Sequence, residues 1–266
     1  MELWHIALHV GIGVLSCAVF CACWRRAPWK VPRERCDVLV VGSSVANGTG
    51  ARRGGGTGWA FLMGAELERR YGLRVHNAAV GGYNTARASS MLQRALPVAQ
   101  ARVVVIGLSL GNERLARTRN AEAAEELTEA YLAGIREMAA EARVAGARVV
   151  IGGVYPNSMY KPHHLPSLRR ADAALRESGL DVLSFLPALD AGDGRWKPEA
   201  KADWAHPNAR GHRLMYTEGV EPRLEELFGS LVPPKARGGE GAHASGGGLG
   251  TRLLDGANPG ALSGGE

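Results

Sequence analysis

Four short apolar runs, rich in valine and isoleucine and not interrupted by alternating polar residues, constrain the fold of this chain most. They cover residues 37–41, 102–109, 147–154 and 181–186, and residues 74–80 form a weaker fifth run. Unbroken apolar runs of this length are typical of parallel strands that are covered on both faces. The sequence therefore predicts a buried, mostly parallel sheet.

Helical periodicity occupies the gaps between these runs. Apolar residues recur every three or four positions in residues 59–71, 88–95 and 127–142. Asn120 is suited to cap the third of these helices, and Gly146 is suited to end it. Strands that alternate with helices predict an open, doubly wound α/β domain, in which ligands bind at the carboxyl ends of the strands.

The N-terminal segment differs in composition from this domain. Residues 3–24 contain no Asp, Glu, Lys or Arg, and these 22 residues are enough to cross a hydrocarbon core as a helix. Basic residues follow the run and do not precede it, which favours an uncleaved anchor over a signal peptide, although Ser16 and Ala18 leave cleavage open. We expect residues 1–24 to attach the protein to a membrane, or to direct its secretion if they are removed.

The positive charge is concentrated in a linker. Residues 25–36 hold five basic residues and one acidic residue, which is +4 of the net charge of +6. The charge therefore does not indicate a nucleic-acid-binding surface, and we expect no nucleic-acid partner. Residues 233–266 are rich in Gly, Ala and Ser, and we predict that they are disordered. The folded domain is predicted to span residues 37–232.

Three polar loops follow predicted strands. The first strand leads into Gly42-Ser43-Ser44, where a serine just past a sharp turn can present its hydroxyl above the sheet. Ala46 stands where the nucleophile elbow GxSxG needs its second glycine, so that motif is absent. Gly82 and Asn112 lie in the loops after two other strands, and they offer a bare backbone N–H and a side-chain amide.

A fourth motif, Asp203-x-x-His206-Pro-Asn, supplies a base and a carboxylate. A serine nucleophile needs a histidine base, and that histidine needs a carboxylate to fix its tautomer. Taken alone, the motif also fits a capping aspartate beside a surface histidine. Asp190 and His212 are the next candidates for these two roles.

In their order along the chain, these residues resemble the four sequence blocks of the SGNH hydrolase superfamily, the GDSL-type esterases and lipases. The resemblance covers about residues 37–228 and rests on Ser44, Gly82, Asn112, Asp203 and His206. Ser43 stands where the first block usually has aspartate, and Leu110 stands where the third block usually has glycine. The resemblance implies a flavodoxin-like, three-layer α/β/α sandwich with a central, mostly parallel sheet.

The resemblance also implies a serine esterase that works through an acyl-enzyme. Ser44 would attack a carboxylic ester, His206 would accept its proton, and Asp203 would orient His206. The backbone N–H groups of Ser44 and Gly82 and the side chain of Asn112 would form the oxyanion hole. No cofactor or metal is implied, and the substrate would be a small acyl, lipid or O-acetyl-carbohydrate ester.

Other functions remain open at this point. An acyltransferase would use the same triad, and a membrane-tethered binding protein could keep the fold without turnover. A phosphate site in the glycine-rich residues 48–58 lacks the lysine of the P-loop. A metal site would have to combine His163, His164, His206 and His212, whose spacing matches no zinc motif. Additional candidates for substrate contacts are Arg52, Arg53, Tyr160 and Trp196.

Overall fold

The computed structural model describes residues 30–51 and 57–232. The predicted anchor of residues 1–24, residues 25–29 of the basic linker, Arg52, Arg53 and the C-terminal tail lie outside these residues. Within the described ranges, no helix is long and apolar enough to cross a membrane.

Five strands form one fully parallel sheet with the order β2-β1-β3-β4-β5. The strands are β1 (Val38–Gly42), β2 (Val75–Asn77), β3 (Val103–Gly107), β4 (Arg148–Gly152) and β5 (Asp181–Leu183). All residues of β1 and β3 are buried, because helices cover both faces of the sheet. The predicted α/β class with a parallel central sheet is confirmed.

Seven α-helices are present in the described residues. They are α1 (Trp59–Tyr71), α2 (Thr85–Ala99), α3 (Ala121–Val144), α4 (Leu165–Arg176), α5 (Leu186–Leu189), α6 (Ala209–Leu214) and α7 (Leu224–Phe228). A π-helical segment, Met215–Val220, continues α6. Asn120 caps α3 as predicted, because its side chain accepts a hydrogen bond from the N–H of Ala123.

Two apolar clusters lie on opposite faces of the sheet. Leu39 of β1 belongs to the cluster that includes residues of α2, α3 and α4, such as Tyr131. The next residue, Val40, belongs to the cluster that contains Trp59 of α1 and residues of α5 and α7. Successive side chains of a strand point to opposite faces, so each strand contributes to both clusters. The result is a three-layer α/β/α sandwich.

The structure corrects some details of the sequence-based prediction. The strand predicted over residues 181–186 ends at Leu183, because the chain turns into α5 at Leu186 with Pro187 in the first helical turn. Asp203 and His206 do not directly follow a strand, and they lie on the long loop between α5 and α6. Two isolated antiparallel bridges lie in this loop: one joins Asp190 and Trp196, and the other joins Lys201 and Pro207.

Candidate active site

The strand order places a ligand-binding crevice next to β1. The sheet changes its direction of winding at β1, which pairs with β2 on one side and with β3 on the other. Loops that leave the carboxyl ends of two such strands diverge and open a crevice. Ser44 follows β1 and Asn112 follows β3, so both lie at this switch point.

Glycines at the ends of three strands let the serine loop pack closely on the sheet. Gly42 and Gly107 are paired in register, and Gly107 is paired with Gly152. A Cβ atom on Gly42 would lie 2.3 Å from the carbonyl oxygen of Gly107, and one on Gly107 would lie 2.9 Å from the Cβ of Ala46. The turn that carries Ser44 can therefore lie directly over the strand ends only because side chains are absent there.

Ser44, His206 and Asp203 form a continuous hydrogen-bonded chain. The Oγ of Ser44 lies 3.0 Å from Nε2 of His206. The Nδ1 of His206 lies 2.9 Å and 3.0 Å from the two carboxylate oxygens of Asp203. A carboxylate only accepts, so Nδ1 carries the proton and Nε2 is free to accept from the serine hydroxyl. This arrangement can deprotonate Ser44 as it attacks an electrophile.

Asp203 is held ionised by its hydrogen bonds. Burial would raise its pKa, but donation from the ring of His206 and from the N–H of Ala205 outweighs burial, and the pKa of Asp203 is lowered. Its Oδ1 accepts the backbone N–H groups of Ala205 at 2.7 Å and His206 at 2.9 Å. The carboxylate therefore both orients the imidazole and shapes the turn that carries it.

Gly50 allows the serine loop to contact the histidine loop. Its φ is +91°, and a Cβ atom there would lie 2.1 Å from the carbonyl oxygen of Pro207 and 3.2 Å from the Cβ of His206. Any other residue would collide with this backbone and would also be strained in the left-handed region. Gly50 thus sets the distance between two loops that are far apart in sequence.

His212 is a structural histidine in this site. Its Nδ1 accepts the N–H of Trp59, so its Nε2 donates to the carbonyl of Thr49 at 3.0 Å. Burial lowers the pKa of His212 to about 4. Asp190 accepts the N–H groups of Gly192 and Gly194 and so stabilises a turn. These contacts give both alternative triad residues structural roles.

Three residues that line the cleft have an N–H group free to donate a hydrogen bond. Among the described residues, none accepts a hydrogen bond from the backbone N–H of Ser44 or of Gly82, whose φ is +77°. The Nδ2 of Asn112 donates one hydrogen to the Oγ of Ser43 at 2.7 Å and has a second hydrogen available. The arrangement can therefore stabilise an oxyanion.

Ser109 and Tyr155 fix the orientation of Asn112. The backbone N–H of Ser109 donates to Oδ1 of Asn112 at 3.0 Å, which assigns that atom as oxygen and places Nδ2 toward Ser43. The hydroxyl of Tyr155 donates to the same oxygen at 3.3 Å, and burial raises the pKa of Tyr155. The role of Tyr155 was missed in the sequence, although it directly follows the predicted strand of residues 147–154.

These groups open into one cleft with a volume of about 790 Å³. Ser44, Gly82, Asn112 and His206 line it, together with Tyr155. Two exposed apolar side chains also line it, and they are Met159 and Trp204. The cleft is large enough for an ester with substituents on both sides of its carbonyl.

Two predicted substrate contacts lie elsewhere. Tyr160 is 1% exposed and Trp196 is 2% exposed, and neither side chain lines the cleft. Tyr160 in the loop after β4 and Trp196 in the loop after α5 both lie in the interior, where Trp196 stacks on Tyr155 with the ring centroids 5.8 Å apart. Arg52 and Arg53 fall outside the described residues.

The histidines do not form a metal site in the described part of the chain, where no three His, Cys, Asp or Glu side chains are grouped to hold an ion. His163 and His164 lie together, with ring centroids 3.9 Å apart, and their Nε2 atoms both face the carbonyl of Thr118.

A family model for GDSL-like lipases and acylhydrolases matches residues 40–214, more than half of the chain. The chain belongs to this family. The GDSL-like family confirms the resemblance to SGNH hydrolases, and its members hydrolyse ester bonds. This protein is accordingly a hydrolase of ester bonds.

One curated protein and two solved structures are similar to this chain over most of its length. Esterase TesA of Pseudomonas aeruginosa is 29% identical over 193 residues, which cover 72% of this chain and 89% of TesA. A crystal structure of TesA superposes with a TM-score of 0.56 at 24% identity and covers 71% of this chain and 98% of that one. The esterase EstA of Pseudoalteromonas sp. gives a TM-score of 0.53 at 16% identity, over 73% of this chain and 97% of EstA.

Proposed function

We propose that this protein is a serine esterase that hydrolyses a carboxylic ester through an acyl-enzyme intermediate on Ser44. The observation that carries the proposal is the chain of contacts from Ser44 Oγ to His206 Nε2 at 3.0 Å and from His206 Nδ1 to Asp203 at 2.9 Å. A nucleophile, a base and an orienting carboxylate in this geometry are what acyl transfer to serine requires.

In the first half of the reaction, the Oγ of Ser44 attacks the ester carbonyl while His206 accepts its proton. His206 then returns the proton to the leaving alcohol as the C–O bond breaks. In the second half, water attacks the acyl-enzyme with His206 again as the base, and the carboxylic acid leaves Ser44. Asp203 stabilises the imidazolium in both halves and stays ionised.

The negative charge that develops on the carbonyl oxygen is stabilised by three donors, the backbone N–H of Ser44, the backbone N–H of Gly82 and Nδ2 of Asn112. Loss of one such donor raises the barrier by about 3 to 4 kcal/mol. Support comes from the two unpaired N–H groups and from the network that holds Asn112 in one orientation.

Hydrolysis of p-nitrophenyl acetate by matched serine variants tests the proposal. Ser44→Ala should reduce kcat to the level of the uncatalysed background in this assay. Ser90→Ala is the control, since Ser90 is exposed on α2 and its Oγ bonds only to the carbonyl of Ala86. Turnover that persists in a folded Ser44→Ala protein would contradict the assignment.

We further propose that residues 1–24 attach this esterase to a membrane. The support is the run of 22 residues without Asp, Glu, Lys or Arg, followed by the basic residues 25–36. The full chain should stay in the membrane fraction after alkaline carbonate extraction, whereas a chain that begins at Val31 should be released. If the full chain instead gives a released product whose N-terminus lies beyond residue 16, the segment is a cleaved signal.

A further inference from the structure

Three arginines line the cleft, and no carboxylate among its lining residues balances them. They are Arg87, Arg114 and Arg117. Each is exposed, and none forms an ion pair or a side-chain hydrogen bond with another described residue. A cleft with charges of one sign attracts the opposite charge into it. The carboxylate of Asp203 lies behind His206 and does not line the cleft.

Arg114 adopts a backbone conformation that arginine rarely adopts. Its φ is +68° and its ψ is +34°, in the left-handed region that favours glycine. One other described non-glycine residue, Gln100, has a positive φ, and it ends α2, where a left-handed residue is common. Arg114 likewise ends a helical turn, because its N–H donates to the carbonyl of Gly111 and the N–H of Leu115 donates to the carbonyl of Leu110. This turn fixes the backbone from which the Arg114 side chain extends.

Arg87 also departs from a local rule. It lies in the first turn of α2, where the helix dipole favours Asp or Glu, and that turn contains no acidic residue. Its backbone N–H donates to the capping side chain of Asn84, so the helix start is well formed although a cation lies in it. Three arginines thus lie on the wall of one cleft that no Asp or Glu lines, and this arrangement indicates a ligand of negative charge.

The segment that carries Arg114 and Arg117 is held firmly. Leu115 is buried between them, and the carbonyl of Thr118 faces the imidazoles of His163 and His164. The acidic neighbour Glu113 does not line the cleft, and its carboxylate is directed to the start of α2, where it accepts the N–H of Thr85 at 2.7 Å. The two guanidinium groups therefore project from a fixed backbone that also carries Asn112.

We propose that the natural substrate is an ester that carries an anionic group, a phosphate or a carboxylate, which Arg87, Arg114 and Arg117 bind. Guanidinium groups suit both anions, because they donate two parallel hydrogen bonds to either. The inference rests on the proposed esterase function, and it adds a substrate class to it. The anion stays unchanged in the reaction, in which water cleaves the ester into an acid and an alcohol.

Two pairs of matched esters locate the anion. With the anion on the acyl side, p-nitrophenyl hemiglutarate is compared with p-nitrophenyl pentanoate. With the anion on the alcohol side, butyrylglycerol 3-phosphate is compared with monobutyrylglycerol. We expect the anionic member of one pair to have a kcat/KM at least tenfold higher than that of its neutral partner at low salt. This ratio should become smaller at about 0.5 M NaCl, because salt screens the attraction between exposed charges.

The variant in which all three arginines are replaced by glutamine should lose at least tenfold of this preference. Arg136→Gln, which removes an exposed charge from α3, is the control and should keep the preference. Arg114→Gly is a second variant that guards against misfolding. It removes one guanidinium group at a left-handed position that glycine favours, so the preference should fall while Tm does not.

Two outcomes would overturn the inference. One is a wild-type protein that hydrolyses neutral and anionic esters equally well in both pairs, and the other is a triple variant that keeps the preference. If no ester is hydrolysed at all, the proposed function fails, and calorimetric titration with glycerol 3-phosphate and with glutarate still tests the arginine site. The arginine site is supported if the triple variant binds one of these anions at least tenfold more weakly than the wild type does. It is contradicted if the wild type binds neither anion, or if the wild type and the triple variant bind both anions equally well.

Discussion

Replacement of Asp203 by asparagine should move the ring proton of His206 from Nδ1 to Nε2. The Oδ1 of Asp203 accepts two backbone N–H groups, from Ala205 at 2.7 Å and from His206 at 2.9 Å. Because those groups only donate, the amide oxygen of asparagine must take this position. The amide nitrogen then takes the position of Oδ2, 2.9 Å from Nδ1 of His206, and donates to it. The ring proton moves to Nε2, which can no longer accept from Ser44.

The expected loss of kcat is about 10⁴-fold, the size of the effect when the same exchange reverses the tautomer in a serine protease. This loss corresponds to about 5 kcal/mol in the activation free energy. The free energy of unfolding should change little, since both backbone hydrogen bonds to the side chain remain and the Asp203 side chain is 49% exposed.

The assay is the kcat for p-nitrophenyl acetate, with circular dichroism and Tm measured on the same samples. Asp193→Asn is the control, because Asp193 also accepts a backbone N–H in a turn, from Arg195, and its side chain is 59% exposed. The control should keep the wild-type kcat. A folded Asp203→Asn protein with kcat within tenfold of wild type would refute the tautomer argument.

Three further predictions concern the surroundings of the triad. Gly50→Ala should lower kcat/KM more than 100-fold by pushing the two loops apart, whereas Gly192→Ala, with a φ of +104° and open space around it, should lower only Tm. Tyr155→Phe should lower kcat about fivefold with KM unchanged, because Asn112 loses one hydrogen bond of about 1 kcal/mol. Because burial lowers the pKa of His212 from 6.5 to about 4, the unfolded chain binds a proton in this range that the folded chain does not. Stability should therefore rise by about 3 kcal/mol from pH 4 to 6.5, and His212→Gln should flatten this rise in unfolding titrations.

The sequence predicted the strands because burial on both faces leaves an unbroken apolar run. It did not predict their order, which depends on the side of the sheet to which each helix returns. β2 is the least regular case, since all three of its residues are only partly buried at the edge of the sheet. Gly42, Gly107 and Gly152 lie directly after or within three of the apolar runs, but the sequence did not show that pairing of the strands brings these glycines side by side.

Within the site, the residues that depend on short motifs were predicted, and the residues that depend on distant contacts were not. Ser44 and His206 stand in recognisable local patterns, and the structure brings them to 3.0 Å. Gly50 and Tyr155 act through the approach of loops that no local pattern encodes. Trp196 was wrongly expected in the cleft, since an aromatic residue in a loop can turn either to a ligand or into the core.

Labelling of the full chain with a fluorophosphonate, followed by peptide mass spectrometry, tests most directly whether Ser44 is the nucleophile. We expect one adduct, on Ser44, that disappears in Ser44→Ala and persists in Ser43→Ala, because Ser43 is fully buried and its Oγ accepts from Asn112. An adduct on a different residue, or labelling that survives Ser44→Ala in a folded protein, would contradict the proposed mechanism.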